Sequence, residues 1–259
     1  MRRISIFDTP EDLGLAAAID IADRIAAKQG RFVLGCPGGR SPQPVYNALG
    51  HIITRSQLDL SRLIILMMDD YVLPQAPGFA HVADDAHYSC RRFARYDIQA
   101  VLNAGLPAHR HIADANIWFP DPNNAPDYDR RIEAAGGIDF FLLASGAGDG
   151  HVAFNPPGSP FDSESRIVTL AEQTRTDNLQ TFPDFAGLHD VPRHGVTVGI
   201  KTVVTQTRAA GMLVWGNDKK RAFRHLSSAR HYDPTWPATV WAACQNSTLY
   251  ADRAAFEGG

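Results

Sequence analysis

The stretch Ile138-Asp139-Phe140-Phe141-Leu142-Leu143-Ala144-Ser145-Gly146-Ala147-Gly148-Asp149-Gly150-His151 decides how this chain is read. Ile138 to Ala144 is too short and too uniformly apolar for an amphipathic helix, and it reads as a strand buried on both faces. The strand runs straight into a glycine-rich turn that carries an aspartate and a histidine. The same grammar recurs along the chain. Arg31 to Leu34 leads into Gly35-Cys36-Pro37-Gly38-Gly39-Arg40-Ser41-Pro42. Leu63 to Met68 ends at Asp69-Asp70, and Met212 to Trp215, the last core strand expected, leads into Gly216-Asn217-Asp218-Lys219-Lys220.

Helical patterns separate these runs. Ile4 to Phe7 reads as a first strand, and Asp8 to Asp12 supplies a capping segment with Pro10 suited to a first helical turn. Leu13 to Gln29 has helical spacing and stops at Gly30. Helices are further expected through Val45, Tyr46 and Leu49, from Tyr128 to Ala135 and from Lys219 to Leu226, with a short β run at Val196 to Val198. Gln75 to Asp85 and Trp118 to Pro126 read as long loops. Strand-loop-helix repetition predicts an α/β fold, a mainly parallel sheet with helices on both faces in a Rossmann-like three-layer arrangement. We expect residues 1–259 to form a single domain. Ligands of such sheets bind at the carboxyl ends of the strands, where the polar clusters fall.

Bulk properties narrow the function. A net charge of −3 gives no global attraction to nucleic acid or to an anionic membrane, so any anion site is local. Three scattered cysteines form neither a disulfide framework nor a metal knuckle, and no stretch approaches roughly 18 uninterrupted apolar residues. The expected setting is cytoplasmic. The histidines show no metal-binding spacing, and the glycine loop is neither a Walker A nor a dinucleotide motif, so no metal and no cofactor are expected.

Each cluster has a chemical and a plainer reading. Gly38, Gly39 and Ser41 can bring backbone N–H groups to an anion, with Arg40 adding charge; a tight turn with a surface arginine is equally compatible. Asp69 and Asp70 at a buried strand end suit a base of raised pKa, or a helix cap beside a solvated acid. His151 next to Asp149 can shuttle a proton. Lys219 opposes a helix dipole, which a bound anion would relieve. Tyr88, Arg91 and Arg92 fit either substrate binding or an ordinary amphipathic helix.

Taken in order, these motifs resemble the glucosamine-6-phosphate deaminase/isomerase family, whose wider group includes 6-phosphogluconolactonase. The resemblance rests on Leu34 to Pro42, Met68-Asp69-Asp70-Tyr71-Val72, Gly136 to Phe140, Gly148-Asp149-Gly150-His151-Val152-Ala153-Phe154-Asn155, Thr197-Val198-Gly199 and Gly216 to Lys219. It implies that Gly38 to Ser41 and Lys219 hold a substrate phosphate, that Asp69 moves a proton between C2 and C1 of an open-chain sugar, and that His151, oriented by Asp149, opens the pyranose ring. The implied partner is a phosphorylated sugar, and a homo-oligomer is compatible with it.

Three departures stand out. Pro156 occupies the position of a family glutamate that works with the histidine. Gln180 occupies that of a phosphate-binding arginine, for which Arg175, Arg40 or Lys201 are the candidate replacements. Trp241 to Gln245 replaces the usual Leu-Gln-Leu-His. Three activities therefore stay open: isomerisation with deamination of an amino-sugar phosphate, hydrolysis of a sugar-phosphate lactone, and a weakened sugar-phosphate sensor. Retention of Asp69, Asp149 and His151 argues against the sensor.

Overall fold

A computed structural model describes residues 2–257. Its strands are β1 (Arg3–Phe7), β2 (Phe32–Cys36), β3 (Leu63–Met67), β4 (Asp69–Gln75), β5 (Gly78–His81), β6 (Ile117–Trp118), β7 (Phe140–Ala144), β8 (Arg166–Thr169), β9 (His194–Thr197), β10 (Ala210–Val214) and β11 (Ser247–Asp252). The α-helices are α1 (Pro10–Ala27), α2 (Gln43–Ser56), α3 (Cys90–Phe93), α4 (Ala100–Asn103), α5 (Ala125–Ala134), α6 (Glu172–Thr181), α7 (Ile200–Gln206), α8 (Lys220–Ser228) and α9 (Arg253–Phe256). A π-helical stretch, Ala94–Gln99, joins α3 to α4.

The main sheet has the order β1-β11-β10-β7-β2-β3-β6 with every pairing parallel. Period-two alternation along its strands builds a core on each face. Leu63, Ile65, Met67, Phe140 and Leu142 pack on the side of α1, α2 and the α3–α4 segment. Ile64, Leu66, Met68, Phe141 and Leu143 pack on the side of α5, α7 and α8. These are the three layers expected. Helix α1 starts as its sequence directs: Thr9 accepts the N–H of Asp12, Pro10 fills the first turn, and Glu11 and Asp12 face the positive end of the dipole.

Beyond β2 the chain adds β3 and β6 on one side, then crosses back to lay β7 on the other. The gap between the carboxyl ends of β2 and β7 is thus the topological switch point, where an open parallel sheet leaves a crevice.

Two expectations need correction. The stretch Gln75 to Asp85 is not all loop: Gln75 ends β4, Gly78–His81 is β5, and the two form a hairpin in a second, antiparallel sheet of order β5-β4-β9-β8. Residues 69–72 of β4 are buried whereas residues 73–75 are exposed, so neither sequence period dominates. Met212 to Trp215 is also not the last core strand. β11 lies between β1 and β10, but its polar ends, Ser247 and Asp252, disguise a fully buried strand.

The second sheet is tied to the helical layer by Asp129 of α5. Its carboxylate accepts the Ser165 N–H and hydroxyl at 2.8 Å each and the Thr202 hydroxyl at 2.5 Å. Truncation would leave these buried donors without their acceptor, at about 1–3 kcal/mol for each unsatisfied group less what water recovers. Asp129→Ala is therefore expected to lose about 2–4 kcal/mol in urea unfolding. A loss under about 0.5 kcal/mol, typical of a neutral surface site, would show that the bonds do not hold the sheet.

Candidate active site

A cavity of about 450 Å³ opens at the switch point. Its walls come from the loop after β2 (Pro37 to Ser41), the β3–β4 junction (Met68, Asp69, Tyr71), the turn after β7 (Ala144 to Gly148, with His151), the start of α8 (Asp218, Lys219, Arg221) and one face of α6. Hence Asp69, His151, Gly38, Gly39, Arg40, Ser41 and Lys219 all converge, as their positions at strand ends required.

The turn after β7 is built to hold a histidine. Asp149 Oδ1 accepts the His151 backbone N–H at 3.1 Å and lies 2.7 Å from His151 Nδ1, while Oδ2 accepts the Thr174 hydroxyl at 2.9 Å. Burial would push the Asp149 carboxyl up, but the hydrogen bonds and charge of His151, with the Thr174 hydroxyl, outweigh it and hold the group well below the usual carboxylate range. An ionised Asp149 fixes the ring proton on Nδ1 and leaves Nε2 as the basic nitrogen. Gly146 makes this packing feasible, since a Cβ there would stand 2.3 Å from His151 Nδ1 and 2.4 Å from Asp149 Oδ1. Gly150, at φ +67°, lies against the Trp236 ring, so the turn is pinned from behind.

Asp69 sits where the chain changes sheets, paired with Thr197 of β9. Tyr71, packed on Phe154 at 4.8 Å and edge-on to Tyr88 at 5.4 Å, forms an aromatic wall beside it. Burial raises its pKa from 3.8 to about 7, and the neighbouring Asp70 charge adds to the rise. The Cys90 thiol, donating to Oδ1 at 3.6 Å, opposes it weakly. The result is a carboxylate poised near neutrality, as a general base requires.

Asp70 does something else. It is fully buried, does not line the cavity, and accepts the N–H groups of Tyr71 (2.9 Å) and Cys90 (3.1 Å) as well as facing His81 Nδ1 at 2.8 Å. Neither a ligand contact nor a solvated acid, it fixes the backbone around Asp69 and supplies charge from behind.

The loop after β2 faces the mouth of the cavity. Arg40 pairs with Asp218 at 2.5 Å and lies over the Trp215 ring, whose Nε1–H donates to Ser41 O at 2.8 Å. The loop is thereby braced against the β10–α8 connection. Lys219 is buried, with one of its three ammonium protons directed to Ser145 O at 2.5 Å. Burial lowers its pKa. An anion between the loop and Lys219 would restore what burial costs this cation.

Two proposed charge replacements do not reach the cavity. Arg175 points away and donates to the carbonyls of Leu188 and Val191. Lys201 pairs with Glu164 at 2.6 Å in a separate groove. Each is claimed by a nearer acceptor. Gln180 does line the cavity, and the added cation there is Arg221.

Sequence reading missed Thr174, Asp177, Cys90 and Arg221. Gln173, Asp177, Gln180 and Thr181 make a polar stripe at helical spacing along α6, a signal that was present but not used. Asp149, His151 and Asp177 each bring a donor atom within 4.8 Å of the other two, the one such grouping among the described residues. Asp149 already meets the His151 N–H, the His151 ring nitrogen and the Thr174 hydroxyl, while Asp177 accepts from Gln173 Nε2.

A parallel sheet with a carboxylate near neutrality and a carboxylate–histidine pair across one crevice defines a class of acid/base proteins. The sequence then identifies the group within it. Residues 8–250 match the family of glucosamine-6-phosphate isomerases/6-phosphogluconolactonase, and the chain belongs to that family. It is 34% identical over 215 residues to a glucosamine-6-phosphate deaminase of Arthrobacter sp. (strain FB24), covering 81% of this chain and 75% of the relative. With that of Rhodococcus opacus (strain B4) it shares 30% over 259 residues, covering 97% and 90%.

A solved monomeric glucosamine-6-phosphate deaminase superposes with a TM-score of 0.82 at 26% identity, covering 98% of each chain. The 6-phosphogluconolactonase of Leishmania guyanensis shares the fold, at TM-score 0.70 and 18% identity over 100% of this chain and 98% of that one. Among the described residues, no helix is long and apolar enough to cross a membrane.

Asp69 also gives a stability signature. Its folded pKa, about 7, lies above the unfolded value of 3.8, so the native state binds the extra proton and loses stability as pH rises through that window. At about 1.4 kcal/mol per pKa unit, ionisation costs of order 2–4 kcal/mol once complete. Asp69→Asn should be markedly more stable than the parent in urea at pH 8 and much closer to it at pH 5. Equal differences at both pH values would mean that Asp69 is not held near neutrality.

Proposed function

We propose that the protein converts glucosamine 6-phosphate to fructose 6-phosphate and ammonia, with Asp69, Asp149 and His151 as its acid/base machinery. The observation that carries this reading is the pairing, in one cavity, of a carboxylate with a pKa of about 7 and a separate histidine held by an ionised aspartate. Lactone hydrolysis needs one such group; opening a ring and then enolising the open chain needs two.

The steps follow from the groups. Gly38 to Ser41, Arg40 and Lys219 hold the phosphate and fix the sugar by an interaction remote from the reacting carbons. Nε2 of His151 takes the proton from O1 of the cyclic sugar and returns it to the ring oxygen; the C1–O5 bond breaks and C1=O1 forms. Asp69 removes the C2 proton, whose electron pair makes the C1=C2 bond while the C1=O1 π pair moves onto O1 and takes up a proton from the C2 ammonium, giving an enolamine; Asp69 then returns its proton to C1 as the nitrogen lone pair closes the C2 imine. Water adds to the resulting C2 imine and ammonia leaves, giving the ketone. A base near neutrality suits the C2 proton because a strong acid is ionised but weakly basic, and a weak one stays protonated.

Release of ammonia and fructose 6-phosphate from glucosamine 6-phosphate by purified protein tests the reading directly. Asp69→Asn should lower kcat by about 10²–10⁴ and parent activity should rise with pH toward about 7 as Asp69 ionises. Lys219→Met should act mainly by raising KM. Rapid hydrolysis of 6-phosphogluconolactone with no ammonia from the amino sugar would overturn the proposal in favour of the lactonase reading.

A further inference from the structure

Asp177 is a carboxylate that nothing in the scheme above uses. It is carried by α6, its side chain lines the cavity, and one of its oxygens lies within 4.8 Å of donor atoms of both Asp149 and His151. Its position is maintained one turn back along α6, where Gln173 Nε2 donates to Oδ1 at 2.8 Å. Among the described residues, no cationic side chain forms an ion pair with it.

The histidine has a corresponding need. Asp149 directs Oδ1 to the His151 N–H and Nδ1 and Oδ2 to Thr174, so its hydrogen-bonding capacity at this ring is committed before any proton arrives at Nε2. During ring opening Nε2 holds a proton between its departure from O1 and its delivery to the ring oxygen, and the ring is then a full cation. The charged groups facing that cation are Asp149 from its own turn and Asp177 from α6, with Lys219 and Arg221 from the α8 side and Arg40, Asp218 and Asp69 elsewhere on the cavity wall. Of these, Asp149 and Asp177 are the carboxylates grouped with the ring, each with an oxygen within 4.8 Å of the other and of a His151 nitrogen. Pro156, directly after Asn155, has no ionisable group and brings no charge of its own.

Resting on the deaminase reading, we propose that Asp177 is a positioning residue for His151: from α6 it stabilises the imidazolium formed in ring opening and so sets the pH at which the ring works. The carboxylate comes from a different element than the turn that carries the histidine. The acid/base set is therefore complete only when α6 is folded over the crevice.

The test is a titration of the His151 ring by heteronuclear NMR in the full chain, with His151→Gln locating the signal, alongside the pH profile of kcat/KM for glucosamine 6-phosphate. One charge at this range is expected to move a histidine whose side chain is 19% exposed by about 0.5–1 pH unit. Asp177→Asn should lower the His151 pKa by that amount and shift the matching limb of the profile to lower pH, whereas Asp177→Glu should restore most of both. An unchanged His151 titration in Asp177→Asn would overturn the inference, even if kcat falls, because only a structural role would then be left. The NMR arm needs no turnover. A parent enzyme inert toward the amino sugar would sink the deaminase reading while the ring titration still decided whether Asp177 is coupled to His151.

Discussion

Between Met67 and Asp69 the chain leaves one sheet and enters another, and the site is organised by that single transfer. Met68 is held on both sides, its N–H donating to Cys36 O and its carbonyl accepting the Val198 N–H at 2.8 Å. The following residue then opens β4 against β9. A carboxylate at this seam has sheet on two sides and an aromatic wall on a third, so its desolvation follows from topology. Moving Asp69 one residue either way would place it on a different face, because side chains alternate along a strand. Asp70 shows the result of such a shift: it turns inward to backbone N–H groups and His81.

The main sheet was legible because its strands obey the simplest rule. β2, β3, β7 and β10 are short, apolar and almost wholly buried, and each is followed two residues on by glycine or aspartate. The second sheet was met only in β9, by the run Val196 to Val198, and its other strands and β11 were illegible for one shared reason. They bury polar residues, Asp70 and Asp252 among them, whose hydrogen-bonding partners include groups far away in sequence. Periodicity reports a strand through its hydrophobic contrast, and these strands have little of it.

The site divides in the same way. Residues at a strand end, Asp69, Asp149, His151, Gly38 to Ser41 and Lys219, come together at the crevice because a turn of unusual composition follows each buried run. Arg175 and Lys201 were misplaced because charge alone does not say which acceptor is nearest; Leu188, Val191 and Glu164 capture them. Thr174 and Asp177 were missed because α6 looks unremarkable as a helix. It has almost no apolar face, so hydrophobic spacing gives no hint of which side meets the protein.

That lack of an apolar face bears on the history of the family as well as on the present molecule. A helix that leans on its neighbours through polar groups can exchange an exposed residue without opening a hole in a core, and surface changes of that kind alter stability by only about 0.5 kcal/mol. The turn that carries His151 has no such freedom, since a Cβ at Gly146 would meet His151 and Asp149 and one at Gly150 would meet the Trp236 ring. Variation in ligand preference would therefore collect on α6, at exposed positions such as Gln180, while the turn behind it stays fixed. A relative with a different sugar would be recognised first by its sixth helix.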